Sequence, residues 1–162
     1  MNLRKLLILP ISIVLFTLTG CAGTTNKSSS EHEGVRVTDA WAAQKPEMTG
    51  VFGTLMNHSN KDITITGGSS EVATKLELHE TVADAGGAMK MRPKPGGFTI
   101  KAGSMHELAP GRDHIMLLGL KRELKVGEKV SITLTTSTGD AIKFTAPVKA
   151  FTGANENYES GK

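Results

Sequence analysis

The chain has a single cysteine, Cys21, among 162 residues. With no second thiol, an intramolecular disulfide, a Cys-x-x-Cys zinc site and a c-type haem attachment are all excluded. Aromatic residues are scarce as well: one Trp, one Tyr and five Phe. No basic run is interleaved with aromatics, so nucleic acid is not an expected partner. The chain also lacks Gly-x-Ser-x-Gly, a P-loop, Gly-x-Gly-x-x-Gly and His-Glu-x-x-His. The common hydrolase, nucleotide-binding and zinc-protease motifs therefore give no enzymatic reading. Helical patterning is missing too, because no stretch keeps a 3.6-residue apolar period over three turns.

One apolar run exists, at the start. It covers Leu6 to Thr19, is interrupted only by Pro10, and follows the basic pair Arg4 and Lys5. A membrane-spanning helix needs about 20 apolar residues, so this run is short for one. It has the size of a signal-peptide core. It ends in Leu18-Thr19-Gly20-Cys21, which resembles a bacterial lipobox with cleavage before Cys21 and lipid on its sulfur. Residues 1–20 are thus expected as a lipoprotein signal peptide and Cys21 as the lipidation site. Losing Arg4 and Lys5 takes the formal charge from +3 to about +1. Residues 22–34, AGTTNKSSSEHEG, are polar and without period, so residues 21–34 read as a lipidated flexible tether. As a coil those thirteen residues span roughly 20 Å. Several acyl chains on one terminus anchor a protein stably, and the expected location is extracytoplasmic and membrane-anchored. The tail at 152–162, TGANENYESGK, is polar and is expected to fray.

The region 35–151 is expected to fold as one domain. Short runs rich in Val, Ile, Thr and Leu recur at 35–41, 50–58, 62–68, 75–82, 88–92, 106–110, 114–120, 129–136 and 141–148, separated by Gly, Pro, Asn and Asp. Evenly spaced short strands predict an all-β sandwich or barrel.

Within this pattern stand two imidazoles and two thioethers: His79, Met91, His114 and Met116. In KLELHETV, strand alternation puts Leu76 and Leu78 on one face and Lys75, Glu77 and His79 on the other. His79 is therefore expected on a polar face or at a strand end. In HIMLLGL, His114 and Met116 share a face, a spacing at which one strand aims two donors at one point. Met89 and Met91 also share a face, and a hairpin through TVADAGGA brings Met91 within reach of His79. Met89, Met105 and His106 stay open as alternatives, with Met89 the replacement for Met91. Thioether sulfur suits a soft ion such as Cu(I) and not magnesium or calcium. No thiolate of the blue-copper kind is available to such a site.

These residues and their surroundings resemble a family, the bacterial periplasmic copper chaperones called PCu(A)C. That family shows a His, a Met about a dozen residues on, and a His-x-Met after roughly twenty more. Here the series reads His79, eleven residues, Met91, twenty-two residues, then His114-Ile115-Met116. LELHETV, GGAMKMRP, LAPGRDHIMLLGLKRELKVGEKVSITLT and the DAW at 39–41 match as well. The resemblance implies a cupredoxin-like Greek-key β-sandwich that binds one Cu(I) through His79, Met91, His114 and Met116. It also implies delivery to the copper-site subunits of cytochrome c oxidase or to other copper chaperones. Some members have Met after the first His, where this chain has Glu80. Others carry a His- and Met-rich C-terminal extension, and this tail holds neither residue, so a second copper site is not expected. A copper-buffering or resistance lipoprotein, or a metal-free adhesion or assembly module, would use the same scaffold.

Overall fold

The computed structural model describes residues 34–153 and the backbone of Asn157–Tyr158. The signal peptide, Cys21, the tether and most of the tail lie outside the described residues. Eleven strands and no helix are present among the described residues: β1 Val35–Ala43, β2 Met48–Asn57, β3 Ile63–Ser69, β4 Ala73–Ala83, β5 Met89–Pro93, β6 Phe98–Ile100, β7 Met105–Leu108, β8 His114–Leu120, β9 Lys129–Thr136, β10 Ala141–Lys149 and β11 Asn157–Tyr158. The domain is an all-β Greek-key sandwich. One sheet runs β11-β5-β4-β8-β2-β1, with β7 also paired to β2, and the other runs β10-β9-β3-β6. They join where the end of β1 pairs in parallel with β10, Ala42 opposite Val148 and Ala43 opposite Lys149.

Alternation along β9 shows how the sequence builds the core. Val130, Ile132 and Leu134 point inward, while Lys129, Ser131 and Thr135 face solvent. Across the sandwich they meet Leu55, Leu76, Leu78, Ile115 and Leu117 of the first sheet, and Phe98 and Ile100 of β6, in their own sheet, join the same core. Burying each such side chain contributes about 1.5–3 kcal/mol against leaving it exposed.

β1 departs from regular alternation. Its register with β2 moves from Thr38 opposite Thr54 to Trp41 opposite Phe52, three steps on one strand against two on the other. This is a β-bulge. Asp39 carries it at a positive φ of 54°, a conformation that Asp tolerates better than most residues. Gly53 lies across the bulge, where a Cβ would stand 2.9 Å from the Thr38 carbonyl oxygen. After the bulge Ala40 and Ala42 pack on the core, and Trp41 turns to the opposite face of the sheet beside Phe52.

The C-terminal segment is not wholly frayed. Asn157–Tyr158 pairs in parallel with β5, Tyr158 opposite Met91, because β5 would otherwise be the sheet's open edge.

Candidate metal centre

The outer face of the first sheet carries the candidate donors. In the β4–β8 ladder His79 is the direct partner of His114, and Glu77 is the partner of Met116. In the β4–β5 ladder Thr81 is opposite Met91, which puts Met91 diagonal to His79 on the same face. The register of this hairpin is set by its turn. Asp84 accepts hydrogen bonds from the amides of Gly86 and Ala88, at 2.8 and 3.0 Å, and its own amide donates to the Ala88 carbonyl. Three antiparallel strands thus bring residues 79, 91, 114 and 116 to one patch.

His114, Met91 and Met116 line an open cavity of about 150 Å³, together with Met48, Gly50, Phe52 and the turn residues Pro110 and Gly111. His79 lies outside that lining, with its ring edge-on to His114 at a centroid separation of 5.5 Å. Met91 and Met116 are 6% and 4% exposed, His114 5% and His79 0%. The expectation that His79 occupies a polar face or strand end is corrected here. It shares the outer face with Glu77, as alternation requires, but that face is covered and the imidazole is fully buried. The turn that joins β7 to β8 reaches this face of β4, where the Thr81 hydroxyl donates to the Arg112 carbonyl oxygen at 3.3 Å. Within the turn the Ala109 amide donates to the Asp113 carbonyl and the Arg112 amide to the Ala109 carbonyl.

The alternative donors sit elsewhere. Met89 follows the face of Met91 but is 47% exposed, and Met105 is 68% exposed on β7. His106 stacks on Phe98 at 5.0 Å and pairs with Asp113 at 3.0 Å. Among the described residues no group of three His, Cys, Asp or Glu could hold a metal ion.

Both imidazoles are oriented by acceptors. Nδ1 of His114 lies 2.8 Å from the Arg112 carbonyl oxygen. A carbonyl only accepts, so Nδ1 carries the proton and Nε2 keeps its lone pair for a metal. Nε2 of His79 lies 2.7 Å from the Glu77 carboxylate, which puts the lone pair of the neutral ring on Nδ1. Burial lowers the His79 pKa, and the hydrogen bond and charge of Glu77 offset only part of that, so the ring stays neutral. Burial raises the Glu77 pKa, yet hydrogen bonds from His79 and Lys75 outweigh it and keep the carboxylate ionised. Neutral, tautomer-fixed imidazoles beside buried thioethers are a donor set for a soft monovalent or divalent ion.

Four features of this patch carried no assignment from sequence. Phe52 places its ring 6.1 Å from His114 and packs against Trp41, tilted by 41° at 4.6 Å. Glu77 is legible in hindsight, since it stands two residues before His79 on the same face. The Arg112 carbonyl and Met48 had no sequence signal, because backbone acceptors are invisible to residue type and β2 is remote from the motif.

Comparison with known proteins agrees with this architecture. The profile of the LpqE-like family, which describes candidate lipoproteins, matches residues 35–148. A candidate lipoprotein of Leifsonia xyli subsp. xyli, Lxx21020, is 42% identical over 154 residues, covering 92% of each chain. The solution structure of apo-DR1885 from Deinococcus radiodurans is 31% identical, covers 93% of this chain and 97% of its own, and superposes with a TM-score of 0.57. The copper-bound PCuAC domain from PmoF2 shares the fold at 16% identity and a TM-score of 0.59, over 73% of this chain and 94% of that one. The chain belongs to the LpqE-like family and shares its fold with PCuAC domains.

Proposed function

We propose that this domain binds one Cu(I) through His79, Met91, His114 and Met116 and hands it to extracytoplasmic copper proteins, chiefly the copper centres of cytochrome c oxidase. The reading rests on one observation above the others: antiparallel register brings two tautomer-fixed imidazoles and two buried thioethers to a single patch. Cu(I) is d¹⁰ and accepts soft neutral donors without a strong geometric demand. A site with no thiolate releases the ion by ligand exchange more readily than one that has it. The copper found in a PmoF2 domain of the same fold supports the choice of metal. The lipid on Cys21 keeps the domain at the membrane, where such acceptors stand.

Competition titration with a Cu(I) chelator tests the ligand set. Replacing His114 by Ala or Met116 by Leu is expected to weaken binding by about tenfold or more, with the melting temperature little changed. Normal binding by both variants would remove these residues from the site. Affinity is also expected to fall as pH drops through about 6, because imidazoles must be neutral to coordinate. Delivery and buffering need the same site and are separated by gene deletion. Oxidase activity that is lost and then restored by added copper marks delivery, whereas copper sensitivity alone marks buffering.

A further inference from the structure

The cavity beside His114 has a third thioether in its wall, Met48, next to Met91 and Met116. Met48 opens β2 and pairs with Leu118, two places from Gly50, which pairs with Met116. Alternation puts Met48, Gly50 and Phe52 on the site face of that strand. Gly50 has no side chain to offer, and the Phe52 ring lies against it: a Cβ there would stand 2.6 Å from Cζ of Phe52. The ring fills the room above Gly50, so Met48 is the sulfur that β2 presents to the cavity. It differs from its two neighbours in burial. Met91 and Met116 are almost fully enclosed, whereas Met48 is half-buried. Soft donors therefore run from the closed end of the cavity towards solvent.

Resting on the Cu(I) reading above, we infer that Met48 is an exchange ligand that carries the ion during hand-over. A four-donor set leaves it outside the resting coordination. When an acceptor engages the ion, a bond from copper to Met91 or Met116 breaks as one to the Met48 sulfur forms. The ion keeps its oxidation state, no proton moves, and coordination never falls by two donors at once. Leucine would fill the same space without a lone pair, so the sulfur rather than the volume is what the step requires.

The test uses the full chain loaded with Cu(I) and bicinchoninate as the acceptor, followed by stopped flow. Met48→Leu is expected to slow transfer about tenfold, equivalent to about 1.4 kcal/mol of barrier, with equilibrium affinity within about threefold of wild type. Met105→Leu, outside the cavity, is expected to transfer at the wild-type rate. Met48→Cys is expected to tighten binding by supplying a thiolate in reach of the ion, and Met105→Cys is not. Unchanged transfer by Met48→Leu, or unchanged affinity of Met48→Cys, overturns the role of Met48 while leaving the Cu(I) site standing. Failure of the wild-type chain to bind Cu(I) overturns both.

Discussion

Glu77 and burial act on His79 in opposite directions, and burial prevails. The unfolded chain takes up a proton on this ring near pH 6.5, while the folded ring resists until the pH is lower. Between those two values the unfolded state binds more protons, so stability falls as pH falls. Glu77 and Glu80 add a second loss at lower pH. Burial raises both carboxyls, but hydrogen bonds from His79 and Lys75, and from Lys94 and Arg92, leave them below the ordinary value of 4.5. Their contribution is present above that value and disappears as pH drops through the folded pKa. The melting temperature of the copper-free chain should therefore begin to decline below pH 6.5 and decline further near and below pH 4.5. In His79→Gln the first part of the decline should shrink. A melting temperature that is flat between pH 7 and 5 would contradict the buried neutral state of His79. Alternation alone located the imidazole's face correctly, since Glu77 and His79 do oppose Leu76 and Leu78. It said nothing of how deeply that face is covered, because burial depends on segments distant in the sequence.

At the scale of elements, the strands were legible wherever turn residues and β-branched runs alternated. The observed bounds of β4, β8, β9 and β10 lie within a residue or two of the runs read from sequence. β6, β11 and the bulge in β1 were not. β6 has only three residues, FTI, between Gly97 and Lys101, and is too short for any period to register. The bulge in β1 was equally hidden. Regular alternation from Val35 and Val37 would send Trp41 into the core, and Asp39 alone hints otherwise. Gly53 tests the bulge directly. Gly53→Ala would push a methyl against the Thr38 carbonyl at a φ of 146°, and should cost about 1–3 kcal/mol in denaturant unfolding. A variant as stable as wild type would mean that β1 and β2 relax around the bulge without strain.

The whole molecule separates stability from chemistry by using the two faces of one sheet. Met116 and Leu117 are neighbours in β8, yet one borders the cavity and the other the core. Leu117→Ala should cost about 2–5 kcal/mol and leave the intrinsic copper affinity of the folded fraction near wild type. Met116→Leu conserves volume and should cost less than about 1.5 kcal/mol while weakening copper binding. Parallel denaturation and titration of the two variants checks this. A common loss of both properties in either variant would show that the faces are not independent. The candidate donors 79, 91, 114 and 116 were chosen from residue type and spacing, and strand register brings them to one patch. Their orienting groups were not readable there, because the Arg112 carbonyl and the aromatic wall of Phe52 and Trp41 exist only once distant strands pair.

The bulge at Asp39 has a counterpart in the genetics of the strand. β1 is read in two frames, one for residues 35–38 and another from 41 onward, and the extra residue between them is the frame change. Deleting Asp39 would restore an unbroken ladder with β2, so the sheet would still form. The only tryptophan of the chain would then keep its face and its place opposite Phe52, because Thr38 to Trp41 shortens to the two steps that separate Thr54 from Phe52. A one-codon deletion would thus be silent for side-chain direction, whereas straightening β1 with Asp39 retained would turn half a strand the wrong way.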